Sequence, residues 1–234
     1  MTKRFALTAG FLLAIASSAS LAQAQFAHPD LKSGKIVVHK LLILPAHATV
    51  TKSGMKGSEG LIEESRIVEN ALPGLISQAL QAKGCTVLGN VLAPAALEKD
   101  PDLKYAVADI EGHFETIHTH VEQKPKDVRT GRYTMGDEVA NFSPGAAADA
   151  LVFARASGVL TTGGKKAFAA VVGGNASDFV VMDVTVVDSQ TGNVLFYTDS
   201  ISRGNFVGDT GRMGKPIERS LKQFACSAPT GKQK

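Results

Sequence analysis

The chain has 234 residues, 44% of them hydrophobic and 20% charged, with 23 Gly, nine Pro, two Cys and no Trp. This composition excludes general disorder, a disulfide-dense mini-fold and a coiled coil. A formal net charge of +3 is too small to point to nucleic acid.

Residues 1–24 have the three parts of a secretory signal peptide. Lys3 and Arg4 form a positive start, Phe5 to Ala16 is an uncharged apolar run, and Ala22-Gln23-Ala24 is a small-residue cleavage site. As a helix the apolar run spans about 18 Å, short of a roughly 30 Å hydrocarbon core, so it reads as a cleaved leader rather than an anchor. Cleavage after Ala24 makes Gln25 the N-terminus and leaves 23 basic against 22 acidic residues, a net charge of +1. The expectation is an exported protein, periplasmic or secreted. It has no transmembrane segment in the mature chain and no nucleic-acid partner. In an oxidising compartment Cys85 and Cys226 either pair or stay as two buried thiols.

Residues 25–34 read as an irregular lead-in, and a single domain is expected over 35–224, followed by a flexible tail at 225–234. Lys35 to Pro45 (KIVVHKLLILP) is β-branched and Leu-rich and reads as a buried strand. Ala46 to Gly60, rich in Gly, Ser and Thr, reads as a loop. Leu61 to Lys83 carries Leu61, Val68, Leu72, Leu75 and Ala79 at helical spacing, with Gly84 as its left-handed cap. Pro73-Gly74 should kink or split that helix near Asn70. Cys85 to Gly89 is a short strand. Pro101 to Gln123 is the clearest helix, capped by Asp100, with Leu103, Val107, Ile110, Phe114, Ile117 and Val121 on one stripe.

Ala148 to Val159 is a second strong strand. Asp178 to Asp188 and Val194 to Arg203 flank Ser189-Gln190-Thr191-Gly192-Asn193 as a hairpin. Lys215 to Phe224 closes the chain as a helix. The order β-α-β-α-(α)-β-β-β-α gives an α/β fold, a single domain with a mixed sheet and flanking helices.

Motifs for chemistry are sparse. His113, His118 and His120 sit near Glu111 and Glu115, but helical spacing spreads the histidines over different faces and distances no single ion bridges. They read as solvated or seam-flanking side chains. Asp183 lies on the opposite strand face from Asp178 and Asp188, and a solvated face accounts for it. Gly158 to Lys166 misses the phosphate-loop spacing by one residue, and no GxSxG elbow is present. No catalytic residue, cofactor or metal is expected.

Ile43-Leu44-Pro45, Ala148-Asp149 before a strand, and Asp188-x-x-Thr191-Gly192-x-x-Leu195 in the hairpin carry a resemblance. The chain resembles the α/β domain of bacterial envelope proteins of the group that includes the TolB N-terminal domain and the curli-secretion lipoprotein CsgG. Those motifs build turns and strand ends, so the resemblance implies a fold and an envelope setting rather than a catalytic site. Its relatives are often lipoproteins, whereas this chain has no lipidation Cys and matches as a secreted, non-lipidated relative.

The leading expectation is therefore a non-enzymatic exported envelope protein, a protein-interaction or assembly module whose partner is another envelope protein. The best candidate surface lies within Thr161 to Ser177, where Lys165, Lys166, Phe168, Val171 and Val172 share a small amphipathic piece between Gly pairs. Two alternatives stand beside it: a metal-binding protein or enzyme using the His113, His118 and His120 region, and a small-ligand carrier using the glycine-rich loops.

Overall fold

The computed structural model describes residues 24–89, 92–172 and 176–226. The leader reading, the glycine pair at 173–174 and most of the expected tail lie outside the described residues. In chain order the elements are β1 (Gln25–Ala27), α1 (Pro29–Lys32), β2 (Lys40–Ile43), β3 (His47–Gly54), β4 (Gly57–Gly60), α2 (Ile62–Gln81), β5 (Thr86–Leu88), α3 (Pro94–Lys99), α4 (Pro101–Gln123), β6 (Ala150–Thr161), α5 (Gly163–Val171), β7 (Phe179–Asp188), β8 (Val194–Arg203) and α6 (Gly214–Ser220).

The strands form one mixed sheet in the order β1-β8-β7-β6-β2-β5. β5, β2 and β6 run parallel, while β6, β7, β8 and β1 pair antiparallel. The fold is thus α/β, with helices on both faces, as the element pattern predicts. Along β7 the side chains alternate: Val180, Met182, Val184 and Val186 join the core under α2 and α6, and Val187 joins the core under α4.

α4 begins where expected. Asp100 accepts the Leu103 amide at 2.9 Å and Pro101 takes the first helical position. Its apolar stripe buries Val107, Ile110, Phe114 and Val121, with Leu103 and Ile117 partly buried. Phe114 is fully enclosed and stacks on Phe153 with ring centroids 4.1 Å apart.

Four expectations are corrected. α2 is not split at Pro73 but continues through it as one 20-residue helix. Val68, Leu72, Ile76, Ala79 and Leu80 are buried on both sides of the proline, and that packing offsets the lost backbone bond. The stretch 46–60 is not a loop but the β3–β4 hairpin; β6 is 12 residues long, and beyond Pro45 its upper half pairs with β3 from His47↔Arg155 to Ser53↔Thr161.

The lead-in is ordered too. β1 pairs with β8 from Gln25↔Thr198 to Ala27↔Phe196, and the Gln25 amide donates to the Arg219 carbonyl at 3.0 Å and accepts from the Gln223 amide at 2.8 Å. The order of a three-residue strand comes from its partner and not from its own pattern. The start of the expected tail is also packed, because Cys226 is buried and bonded to Cys85, their Cα atoms 4.9 Å apart.

The resemblance motifs have structural work. Asp149 accepts the amides of His39 and Lys40 at 2.8 Å each and so fixes the start of β2. Asp188 accepts the amides of Gln190 and Thr191 and the Thr191 hydroxyl, closing the hairpin turn. Gly192 follows at φ +69°, packed against the Gly136 backbone.

Candidate functional sites

The first site is a row of charges between α4 and the sheet. His47 on β3, Arg155 on β6 and Asp183 on β7 are register partners across three adjacent strands. α4 supplies Glu111, Glu115 and His118, spaced by four and three residues. Those steps rise about 6 and 4.5 Å, close to the roughly 4.8 Å between strands, so the helix meets the row rung by rung. His47 Nε2 lies 2.9 Å from Glu111 Oε2, and His118 Nε2 lies 3.0 Å from Asp183 Oδ1. Arg155 Nε donates to Glu115 Oε1 at 2.7 Å, its Nη2 donates to the same oxygen, and its guanidinium covers the Phe114 ring.

Burial gives this row its electrostatics. The side chains of His118, Arg155, Asp183 and Glu111 are only 11%, 12%, 13% and 14% exposed. The Glu111 hydrogen bond holds His47 above the usual imidazole range. Burial pushes His118 down, but the hydrogen bond and charge of Asp183, with Glu115, outweigh it and the net direction is up. Burial lifts the Asp183 carboxyl, and the His118 contact works against that lift. His118 stands between two carboxylates, its Nε2 3.0 Å from Asp183 Oδ1 and its Nδ1 4.0 Å from Glu115 Oε2. This arrangement suits a structural clamp.

His118 takes the seam-flanking place among the histidines, and the solvated reading of Asp183 is corrected, because both side chains are enclosed. The signal lay in the α4 spacing 111, 115, 118 set against one charged residue per strand, but strand neighbours are not visible in a linear sequence. The structure does not bring the three helix histidines together. His113 faces Glu138 at 3.4 Å and Asp109 at 3.9 Å, His118 faces Asp183, and His120 is exposed. Among the described residues no group of three or more His, Cys, Asp and Glu is placed to hold a metal ion.

The second site is α5. Thr162 caps it, accepting the Lys165 amide, and both lysines are tied to the body of the protein. Lys165 Nζ donates to Ser53 Oγ on β3 at 2.7 Å, and Lys166 Nζ pairs with Asp178 Oδ2 at 2.9 Å. Asp178 also accepts the Thr161 amide at 2.8 Å, and these contacts lower its pKa against the opposing effect of burial. Phe168, Val171 and Val172 stand at i, i+3 and i+4 on one helical face, 56%, 84% and 61% exposed. Met55, at the β3–β4 turn, is 73% exposed beside the start of α5. The expected patch was cationic and apolar. The lysines are spent on anchoring, so the outward face is chiefly apolar.

No family model and no curated protein matches the chain. Among solved structures it is similar to a PelC dodecamer from Paraburkholderia phytofirmans at 10% identity, covering 79% of this chain and 86% of that one, with a TM-score of 0.38. Lipoprotein GNA1162 from Neisseria meningitidis matches at 13% identity over 81% and 99% of the two chains, with a TM-score of 0.39. A second PelC crystal form matches at 10% identity over 85% and 95%, with a TM-score of 0.37. Such scores carry no inference about function, and the fold described above stands on its own strand pairing.

Proposed function

We propose that this chain is an exported, non-catalytic protein of the bacterial envelope that works as a protein-interaction module, docking through the outward face of α5. One observation carries the reading: three large apolar side chains on one face of a helix are left in water while the helix itself is capped and doubly anchored. A helix held this firmly presents its face at little ordering cost to a partner. An anionic membrane surface fits less well, because interfacial helices need free basic side chains along the polar face and both lysines here are engaged. The partner is another envelope protein with an apolar surface patch. Export is supported by the leader-like segment, by the Cys85–Cys226 bond and by the motif-level resemblance to the TolB and CsgG group.

A photo-crosslinking residue at Val171, introduced in the full chain in cells, tests this. A discrete protein adduct is expected there and not from the same residue at Tyr105, which is 75% exposed on α4. The adduct should vanish when Phe168→Ser and Val172→Ser are added. Absence of an adduct at Val171, or equal labelling from both sites, sinks the proposal.

A further inference from the structure

The sheet face that carries α4 is covered only in part. α4 lies over the row His47, Arg155 and Asp183, and the strands run on beyond it. The next row holds Ser157, Val181 and Ile201, and the one after it Val159, Phe179 and Arg203. None of these side chains is buried, whereas Ala156, Val180, Met182, Ser200 and Ser202, which alternate with them on the opposite face, all are. The far end of the bare strip is marked by Ser53 and Thr161, where Lys165 ties the start of α5 to Ser53. From Arg155 to Thr161 β6 rises about 20 Å. Less half the width of α4, this leaves a trough that fits one helix, which is about 10–12 Å across with its side chains. A cavity of 790 Å³ opens along its α4 wall, between Glu111, Glu115 and Glu122 on the helix and Ser157 and Val181 on the sheet.

The trough has an apolar floor and an acidic wall. Val159 and Phe179 are cross-strand neighbours, and so are Val181 and Ile201. A sheet face of this kind is buried by packing another element on it. At the β8 end the row of charges gains a fourth rung, because Glu122 stands four residues after His118 and Asp199 stands opposite Asp183. This rung holds two acids and no base, and neither carboxylate has a hydrogen bond or ion pair among the described residues. Like charges directly opposite on neighbouring strands are destabilising, and a cation beside them relieves the repulsion. Their charge is felt nearby: burial first, then Asp183, Asp199 and Glu122, raise the Tyr197 phenol above its ordinary range. Arg203, in the outer row, lies about 13 Å along β8 from Asp199, so the negative charge gathers on the side next to α4.

We propose that this trough receives a helix of a partner protein, apolar where it meets Val159, Phe179, Val181 and Ile201 and carrying Lys or Arg along the edge beside Glu122 and Asp199. The incoming helix fills the vacant place in the layer, and its cations complete the fourth rung. The surface is separate from the outward face of α5, and neither docking needs the other.

Fluorescence anisotropy with a labelled peptide of Leu and Lys, patterned as an amphipathic helix, tests the proposal on the purified exported protein. Saturable binding at one site per chain is expected, with the counterpart peptide of Leu and Glu binding more weakly. Glu122→Lys with Asp199→Lys breaks no ion pair. It should weaken the Lys peptide about tenfold and strengthen the Glu peptide, since attraction becomes repulsion at two positions. Val181→Thr with Ile201→Thr keeps β-branched side chains in the strands and should weaken both peptides. Phe168→Ser with Val171→Ser should change neither. Lack of saturable binding overturns the proposal, as does an affinity indifferent to the charge reversal. Binding that survives both trough variants but is lost with Phe168→Ser and Val171→Ser also overturns it, because the peptide would then sit on α5.

Discussion

His118 binds its proton more tightly in the folded chain than the ordinary value of 6.5, and so does His47. Between pH 6.5 and those raised values the folded state holds more protons than the unfolded one, so stability falls as pH rises through that window and is fully present below it. Asp183, lifted above 3.8 by burial, acts with the same sign, because its ionisation becomes costlier to the fold as pH climbs. The urea midpoint should be higher at about pH 6 than at about pH 8, with His118→Gln flattening the difference. A midpoint that rises over this interval would contradict the clamp. Gly192→Ala makes a second expectation at this scale. Its φ of +69° disfavours a side chain, and a Cβ would come within 2.3 Å of the Gly136 carbonyl, so a loss of about 1–3 kcal/mol is expected in chemical denaturation. The Gly192 turn was readable from Asp188 and Thr191 because its chemistry is local. The clamp was not, because its members come from three strands and a helix.

α4 shows how far a sequence pattern reaches at the level of an element. Its bounds, cap and apolar stripe are all legible, since each depends on neighbours within four residues. Phe114→Ala should cost about 3–5 kcal/mol in denaturant unfolding, because the ring is fully enclosed against Phe153. α2 shows the opposite case. The local rule for Pro73 predicts a kink or a split, and five buried side chains keep the helix continuous. Replacing Pro73 with Ala should stabilise the protein by about 2 kcal/mol, the helix-interior penalty of about 3 less about 1 for the freer unfolded chain. A loss of stability on thermal melting would show that the proline is needed where it stands. α5 makes a third expectation: Phe168→Ser with Val171→Ser should leave the melting temperature nearly unchanged, since neither side chain is buried. The hairpin β3–β4 escaped the sequence reading because its pairing is dictated by the length of β6.

For the whole molecule, the fold class follows from the alternation of strand and helix patterns, but the sheet order does not. β1 lies at one edge and β5 at the other, and only pairing in three dimensions sets those places. The two ends of the described chain are also joined to distant parts. Gln25 bridges the last turn of α6 and the segment after it, and Cys226 is bonded to Cys85 across 141 residues. Closing a loop of that length removes unfolded-state entropy worth about 5 kcal/mol at most, and measured losses on removing such a bond are about 2–5 kcal/mol. Cys85→Ser with Cys226→Ser should lower the denaturation free energy by that amount, and reduction of the wild type should do the same. Equal stability with and without the bond would show that the packing of Phe224 and Leu221 suffices alone.

The Cys85–Cys226 bond also sets an order of events. A growing chain presents Cys85 before β6, β7 and β8 exist, and its partner only after α6. On the proposed export the bond forms only once the chain reaches an oxidising compartment, with both thiols already present. A bond that closes last is absent from the folding transition state, so its removal should raise the rate of unfolding and leave the rate of refolding unchanged.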